Sequence, residues 1–340
     1  MKSVFITRQG GPEVLESRES PDPDPAEGQV RVRVKAAGVN FADILMRMGL
    51  YPGAPKTPFV PGYEAAGVID RLGPGVMSAK EGDQVVVPTD FGGYTDTLVV
   101  PAFQVFPIPP GKSFNAAAAL TVNYLTAYEA LIEQGNLRKS GGRILVHGAA
   151  GGVGIAAAQI AKIYGAEVFG TASASKHEFL RKQGVAHPID YRKEDFERVI
   201  KEKTKGRGVH VAMDPIGGKS FAKSYRSLAA SGKLIVYGFS AAATGPERSW
   251  LNLAWQYLRT PRFSPFDMMG DNRGVIGLHL GRMTAERELL TTALRQLVAW
   301  WGEGKLEPVV GAAFPAAMAH KAHEYIQGRE NIGKVVLTFE

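Results

Sequence analysis

Two hydrophobic periods alternate along this chain, and the change from one to the other divides it. Up to about residue 122 the period is two. Val30, Val32 and Val34 alternate with Arg31, Arg33 and Lys35, the pattern of a half-buried strand. Residues 60–69, 84–87 and 94–100 read as further strands, broken by Pro-Gly and Gly-Asp turns. One helical piece, residues 41–48, interrupts them. Near residue 115 the chain turns alanine-rich, and a helix is predicted to run to 133. From residue 143 strands and helices alternate. Strands are predicted at 143–147, 166–171, 209–213, 234–237 and 275–280, and helices at 155–164, 178–183, 196–203 and 221–229. Such alternation predicts an α/β fold with a Rossmann-type doubly wound parallel sheet. An amphipathic helix follows at 284–301. After Pro308 the pattern becomes β-like again, with a helix at 316–327 and a last strand at 334–339. The expected domains are a β-rich one from residues 1–122 and 309–340, and a dinucleotide-binding one from 123–308.

The stretch VHGAAGGVGIAAAQIAK (residues 146–162) places Gly148, Gly151, Gly152, Val153 and Gly154 between the first strand of the alternating region and its helix. A turn this tight needs residues without a Cβ. They adopt positive φ and let the backbone approach a pyrophosphate at the helix N-terminus, where free N–H groups and the dipole favour negative charge. The usual spacing is GxGxxG. Aligned on its last two glycines, the chain has Ala149, Gly151 and Gly154, so the first glycine is an alanine. A lone glycine pattern is weak, but strand, turn, helix and second strand stand here in order, which makes dinucleotide binding the expectation.

Composition narrows the chemistry. With 340 residues, 45% of them hydrophobic and 21% charged, the chain has the balance of a globular protein of two domains. It has no cysteine, which removes disulfides, thiolate zinc sites and cysteine nucleophiles. Of seven histidines only His320 and His323 are close, and without a matching carboxylate they read as a solvated helix face rather than a metal site. The net charge of +7 does not point to nucleic acid, because basic and acidic residues alternate; the densest cluster, KEKTKGR at 201–207, suits a helix C-terminus. No signal peptide or membrane-spanning run is visible, so a cytoplasmic location is expected.

The signatures AAGVNFADILMRMGLYP (36–52) and PGYEAAGVI (61–69) resemble those of the zinc-independent quinone oxidoreductase branch of the medium-chain dehydrogenase/reductase superfamily, and the likeness covers essentially the whole chain. Within that branch GTASASKHEFL, MDPIGG (213–218) and GLHLG (277–281) are most similar to vesicle amine transport protein 1 homologues. The resemblance implies a chaperonin-10-like β-rich catalytic domain beside the Rossmann domain. Zinc alcohol dehydrogenases of the superfamily carry a cysteine in the first signature and Gly-His-Glu in the second. Asn40 and Tyr63 stand in those places here, so no catalytic metal is implied. Without one, the substrate must accept hydride with little electrophilic help. Quinones and α,β-unsaturated carbonyls do so, since conjugation moves the charge onto an oxygen that hydrogen-bond donors stabilise.

The resemblance also implies site residues. Asn40 would lie beside the nicotinamide and Tyr51 would line the substrate pocket; Asp43 joins them, or merely compensates a helix dipole. Thr126 would contact the cofactor. Gly238, Phe239 and Leu278 would face its carboxamide, and Lys334 would reach its edge or face solvent. The cofactor expected is NADPH. An NAD enzyme of this architecture places an acid at the end of the second strand, and this chain has Ser173 and Lys176 there instead, with Tyr191 matching a tyrosine that similar reductases set beside the 2′-phosphate. A small-molecule quinone or enone is the expected partner, together with a second copy of the chain paired through the edge strand at 275–280. Two alternatives stay open. One is an enoyl-thioester reductase, for which no basic patch suited to a coenzyme A phosphate is visible. The other is a peripheral membrane or lipid-handling protein, suggested by WLNLAWQYLRTPRFSPFDMM (250–269), a stretch that equally suits packing over the cleft or against a second subunit.

Overall fold

The computed structural model describes residues 1–138, 141–283 and 286–340. The first part of the chain forms β1 (Lys2–Ile6), β2 (Leu15–Glu19), β3 (Gln29–Val39), α1 (Phe41–Arg47), β4 (Glu64–Leu72), β5 (Gln84–Pro88), β6 (Thr97–Pro101), β7 (Phe106–Pro107), α2 (Phe114–Ala118) and α3 (Thr121–Tyr128). The alternating region follows: β8 (Arg143–His147), α4 (Gly152–Ile163), β9 (Glu167–Ala172), α5 (His177–Lys182), β10 (His187–Asp190), α6 (Phe196–Lys203), β11 (Val209–Asp214), α7 (Lys219–Arg226), β12 (Leu228–Val236), α8 (Trp250–Leu258), α9 (Pro265–Asp271) and β13 (Gly274–Gly277). The last part holds α10 (Arg287–Gly302), β14 (Val310–Pro315), α11 (Ala319–Gln327) and β15 (Lys334–Thr338).

Two compact units result. One comprises Met1–Asn123, Gly245–Arg248 and Glu286–Glu340, and the other comprises Tyr124–Thr244 and residues 249–283. The second boundary differs from the expected residue 309. α10 belongs with the β-rich unit, where Trp301 is fully buried and the Lys112 ammonium lies over its ring. The predicted start of this helix, Thr284, falls outside the described residues.

In the β-rich unit the strands run β14-β15-β3-β4-β5-β7, with β6 also paired to β3. β14 and β15 are parallel and the other pairs antiparallel. Val30, Val32, Ile69, Val85, Val87 and Val100 form one core of this sheet. The alternation in β3 leaves its other face only partly in water: Lys35 is exposed and Arg33 half-buried. Arg31 is buried and donates two hydrogen bonds to Asp70 of β4, and Arg33 donates to the same carboxylate, so both arginines are held by one ion-pair cluster.

The other unit is a six-stranded parallel sheet in the order β10-β9-β8-β11-β12-β13. Leu145, Phe169, Ile189, Ala212, Leu228 and Leu234 belong to its core.

Several expected elements shift. The helix expected at 115–133 is broken into α2, α3 and a π-helical turn, Glu129–Glu133. The first break has a cause outside the helix: the Val122 N–H donates to Glu64 Oε2 at 2.7 Å. The helix expected at 221–229 ends at Arg226, and the strand expected at 234–237 begins at Leu228, crossing a kink where Ser231 has φ +62°. β4 starts at Glu64 rather than at 60, because Gly62 at φ +100° breaks the extended run before it. β6 begins at Thr97, not 94, and β13 stops at Gly277, not 280.

Candidate functional site

In the parallel unit the strand order reverses between β8 and β11, the kind of switch point at which open α/β sheets bind ligands. The glycine turn follows β8. Gly148 has φ +63°, the Ala149 N–H donates to Thr171 O at 3.0 Å, and the Gly151 N–H donates to Gly148 O at 2.9 Å. The first turn of α4 closes with the Ile155 N–H on Gly151 O, so the amides of Gly152 and Val153 lie ahead of the intrahelical ladder. A Cβ on Gly154 would come within 2.5 Å of Ala149 Cα and Gly148 O. The helix is thus pressed onto the turn, as a pyrophosphate cradle requires.

A buried polar network supports this turn from below. His147 Nδ1 lies 2.9 Å from Thr171 Oγ1, and its Nε2 lies 2.9 Å from Ser224 Oγ. Asp214 Oδ2 accepts from Ser224 and Ser220, and its Oδ1 accepts from the Ile216 N–H. Burial lowers the His147 pKa although Asp214 is near, so the imidazole is neutral and ties together the ends of β8, β9 and β11. The sequence reading missed this set, whose signal was a histidine directly before the glycine turn.

The expected cofactor residues of this unit gather at the carboxyl ends of the strands. Ala172 of β9 is in register with Asp190 of β10, which brings Ser173, Lys176 and Tyr191 to one corner. Tyr191 is 42% exposed, and the Arg192 guanidinium lies 5.8 Å from its ring centroid. Arg192 is a second cation at this corner that went unremarked in the sequence. Gly238 and Phe239 follow β12. Gly217, at φ +93°, leaves room for Phe239, whose ring would be 2.0 Å from a Cβ there. Leu278 is buried, and its N–H donates to Val236 O at 2.8 Å. Thr126 lies buried in α3.

The β-rich unit holds Asn40, Asp43, Tyr51 and Lys334. Lys334 is neither solvent-facing nor free: it is 3% exposed, pairs with the fully buried Glu64, and donates to Asn40 Oδ1 at 2.6 Å. An ammonium only donates, so this contact fixes which way the Asn40 amide points. Its Nδ2 then faces Glu64 Oε1 at 3.2 Å and Gly38 O at 3.4 Å. Gly38 is required here, since a Cβ would lie 2.4 Å from the Glu64 carboxylate.

Asn40 also caps α1, and its N–H donates to Asp43 Oδ2 at 2.8 Å. Asp43 does more than compensate a dipole. It is fully buried, accepts from the Tyr94 hydroxyl at 2.9 Å, and burial pushes its pKa up to about 7. The Tyr94 hydroxyl lies 3.1 Å from His323 Nε2. His323 is therefore buried rather than on a solvated face, and burial drives its pKa well below the ordinary value. His320 is only half-buried. Arg47, also buried, donates to Gln327 Oε1 at 2.6 Å and to Pro246 O at 3.2 Å.

Tyr51 belongs to an aromatic group with Tyr63, Phe91 and Phe59. Ring centroids are 6.3 Å apart for Tyr51–Tyr63, 5.5 Å for Tyr63–Phe91 and 6.1 Å for Phe59–Phe91. Among the described residues no three His, Cys, Asp or Glu side chains come together as a metal site. No helix among them is long and apolar enough to cross a membrane.

A glycine cradle at the switch point of a 3-2-1-4-5-6 sheet, joined in one chain to a β-rich unit, defines a dinucleotide-binding oxidoreductase. Known proteins agree. Residues 26–110 match the alcohol dehydrogenase GroES-like domain, and residues 183–337 match the zinc-binding dehydrogenase family. The chain is 41% identical over 340 residues to the mouse synaptic vesicle membrane protein VAT-1 homolog, covering 99% of this chain and 83% of that protein. It is 32% identical to human quinone oxidoreductase, over 99% of this chain and 97% of that one. Its structure is similar to that of Escherichia coli quinone oxidoreductase complexed with NADPH, with TM-score 0.88, 31% identity and 100% of both chains covered. The chain belongs to the medium-chain dehydrogenase/reductase superfamily, close to the VAT-1 homologues and quinone oxidoreductase.

Proposed function

We propose that this protein is an NADPH-dependent, zinc-independent reductase of quinones or α,β-unsaturated carbonyls. The observation that carries the reading is the corner formed by Ser173, Lys176, Tyr191 and Arg192, where a hydroxyl and cations stand in place of the acid that a ribose 2′-hydroxyl requires. The cradle at Gly148, Gly151, Gly152, Val153 and Gly154 fits a pyrophosphate, and Thr126, Gly238, Phe239 and Leu278 are assigned to the rest of the nucleotide. NADPH, when bound, supplies the hydride. On the substrate side Asn40 and Tyr51 are the proposed contacts. Lys334, Glu64 and Asp43 act behind Asn40: they hold its side chain and its backbone N–H in one orientation, so that little reorganisation is left for the reaction itself. The donor set where zinc relatives have ligands is an amide and a phenol, Asn40 and Tyr63, which suits hydrogen bonding better than metal binding.

The test is NADPH consumption with a naphthoquinone and with an open-chain enone, before and after exhaustive chelation. Turnover that survives chelation is expected. Absence of turnover with both acceptors, or a loss that added zinc reverses, overturns the reading.

A second reading rests on α8 and α9, where Trp250, Leu251, Tyr257, Leu258, Phe266 and Met269 are all exposed. This surface beside the edge strand β13 suits a second copy of the chain, or a membrane surface in a lipid-handling role. We favour the homodimer, with a cytoplasmic location. Sedimentation with anionic liposomes at low protein concentration would favour the membrane instead.

A further inference from the structure

Tyr94 and His323 have no assigned part in the proposed reaction, yet both are fully buried and stand directly behind Asp43. The backbone of Tyr94 is pinned on either side. Its N–H donates to Pro61 O at 3.0 Å, and its carbonyl accepts from the Val4 N–H at 2.9 Å. Gly62 makes room for the ring, which would lie 2.6 Å from a Cβ there. The His323 ring stands edge-on to it with centroids 6.0 Å apart, and α11 is held in the same core by Ala319 and Ala322. Two rungs one helical turn apart therefore join α1 to α11. Asp43 reaches His323 through the Tyr94 hydroxyl, and Arg47 reaches Gln327 directly.

The direction of each hydrogen bond follows from the chemistry of the groups. Burial, followed by the charge of Arg47, keeps His323 neutral, so the imidazole has a single N–H to place. A phenol also has one proton. An ionised Asp43 only accepts, so the Tyr94 O–H donates to it, and the Tyr94 oxygen is left to accept from His323 Nε2–H. With the proton on Nδ1 instead, a bare Nε2 would draw the phenol proton away from the carboxylate. The tautomer of His323 thus decides whether Tyr94 serves Asp43. That service matters because the Asn40 N–H and the Tyr94 hydroxyl converge on one oxygen, Oδ2, while Oδ1 has no hydrogen-bond partner among the described residues. One donor would leave the carboxyl group to turn about that bond; two fix its plane. The charged and titratable groups around Asp43 are Lys334 of β15, which favours its ionised form, Glu64 of β4, which opposes it, Arg47 one turn on in α1, the Tyr63 and Tyr94 phenols, and His323 of α11.

We infer that Tyr94 and His323 are positioning residues for Asn40: His323 directs the Tyr94 hydroxyl onto Asp43, and Tyr94 holds the Asp43 carboxylate against the Asn40 N–H, so that the start of α1 keeps one geometry during hydride transfer. This rests on the reductase reading above and adds to it what orients the proposed donor. An ionised carboxylate holds that N–H more strongly than a neutral acid does, because a charge-assisted hydrogen bond is the stronger. Turnover should therefore rise with pH through the titration of Asp43. The Tyr94 hydrogen bond, which holds that pKa below the value burial alone would set, should fix where the rise falls.

The experiment measures kcat and KM for a naphthoquinone and for an open-chain enone between about pH 5.5 and 9, in the unaltered chain, Tyr94→Phe, His323→Leu and His323→Gln, with NADPH binding by fluorescence as the check on folding. Tyr94→Phe should lower kcat roughly 10-fold at neutral pH with little change in KM, and should move the midpoint of the kcat profile up by about one pH unit. His323→Leu should move both in the same direction. His323→Gln, whose amide N–H can donate from the place of Nε2, should restore most of that loss. A midpoint that stays in place in Tyr94→Phe overturns the inference, since a residue that only fills the core would lower kcat without displacing the profile. So does a His323→Gln protein no better than His323→Leu, and this pair decides alone if Tyr94→Phe loses NADPH binding. If the unaltered chain reduces neither acceptor, the reductase reading fails and the positioning role with it; if it reduces either one and the midpoint never moves, only the positioning role fails.

Discussion

Replacing Asp43 by asparagine removes a titration that its surroundings have moved close to neutrality. The carboxyl is fully buried; among the described residues it accepts from the Asn40 N–H and the Tyr94 hydroxyl, and its other oxygen has no hydrogen-bond partner. Burial raises its pKa from 3.8 to about 7. The folded pKa is thus above the unfolded one, so the folded state holds the proton more tightly. The stabilisation is complete below about pH 4 and is lost as pH rises through 7. A shift of roughly three units corresponds to about 4 kcal/mol, a large share of the 5 to 15 kcal/mol by which proteins are usually stable. The assay is urea unfolding of the original and Asp43→Asn proteins at half-unit steps from pH 4.5 to 8.5. The stability difference between them should shift in favour of Asp43→Asn by about 2 to 4 kcal/mol across that range, most steeply between about pH 4.5 and 6.5 and levelling off above about pH 7.5. A difference flat to within about 0.5 kcal/mol would refute the argument, because it would mean that Asp43 is ionised throughout or that water reaches it.

Glu129 invites a related substitution: it is buried, neither oxygen has a hydrogen-bond partner among the described residues, and burial followed by Glu133 pushes its pKa up to about 7. Glu129→Gln should raise stability at pH 8 by about 1 to 2 kcal/mol, less than the full shift because water around the exposed Glu133 screens it, and the gain should vanish below about pH 5; thermal melts at the two pH values check this. Lys176→Ala should weaken NADPH binding roughly 10- to 150-fold and leave NADH nearly untouched, and equal losses by fluorescence titration would show that the lysine does not read the 2′-phosphate. Light scattering at micromolar concentration should give twice the chain mass, with β13 as the paired edge, and a monomer would contradict it.

What the sequence reveals well is whatever depends on local order. The parallel sheet announces itself through short apolar runs alternating with helices, and the cradle through glycines whose spacing follows from steric contact with their near neighbours. Lys334 and His323 were illegible for the opposite reason. Each is an ordinary polar residue on a C-terminal element, and only the return of β15 to β3, and the packing of Ala319 and Ala322 of α11 into the same core, bring them to Glu64 and Tyr94, more than 200 positions earlier. The break between α2 and α3 was hidden likewise, because its cause, Glu64, is remote in sequence and an alanine run carries no breaker of its own. The extra arginine at the nucleotide corner was visible as a letter next to Tyr191, but its place depended on the register of β10 against β9.

The pairing of β15 with β3 also bears on how the protein comes off the ribosome. Glu64 is buried from the moment its strand docks, and the cation that neutralises it, Lys334, lies 270 positions later. Until then the β-rich unit carries an uncompensated buried carboxylate and lacks a strand that stands between β14 and β3. The parallel unit, whose strands all lie between residues 143 and 277, is complete in sequence before that. The order of translation therefore favours a nascent chain in which the nucleotide-binding half matures first and the other half waits, half-made, until β15 has been made. A chain that stopped before Lys334 would lose that lysine and β15 together, and that waiting state would become permanent.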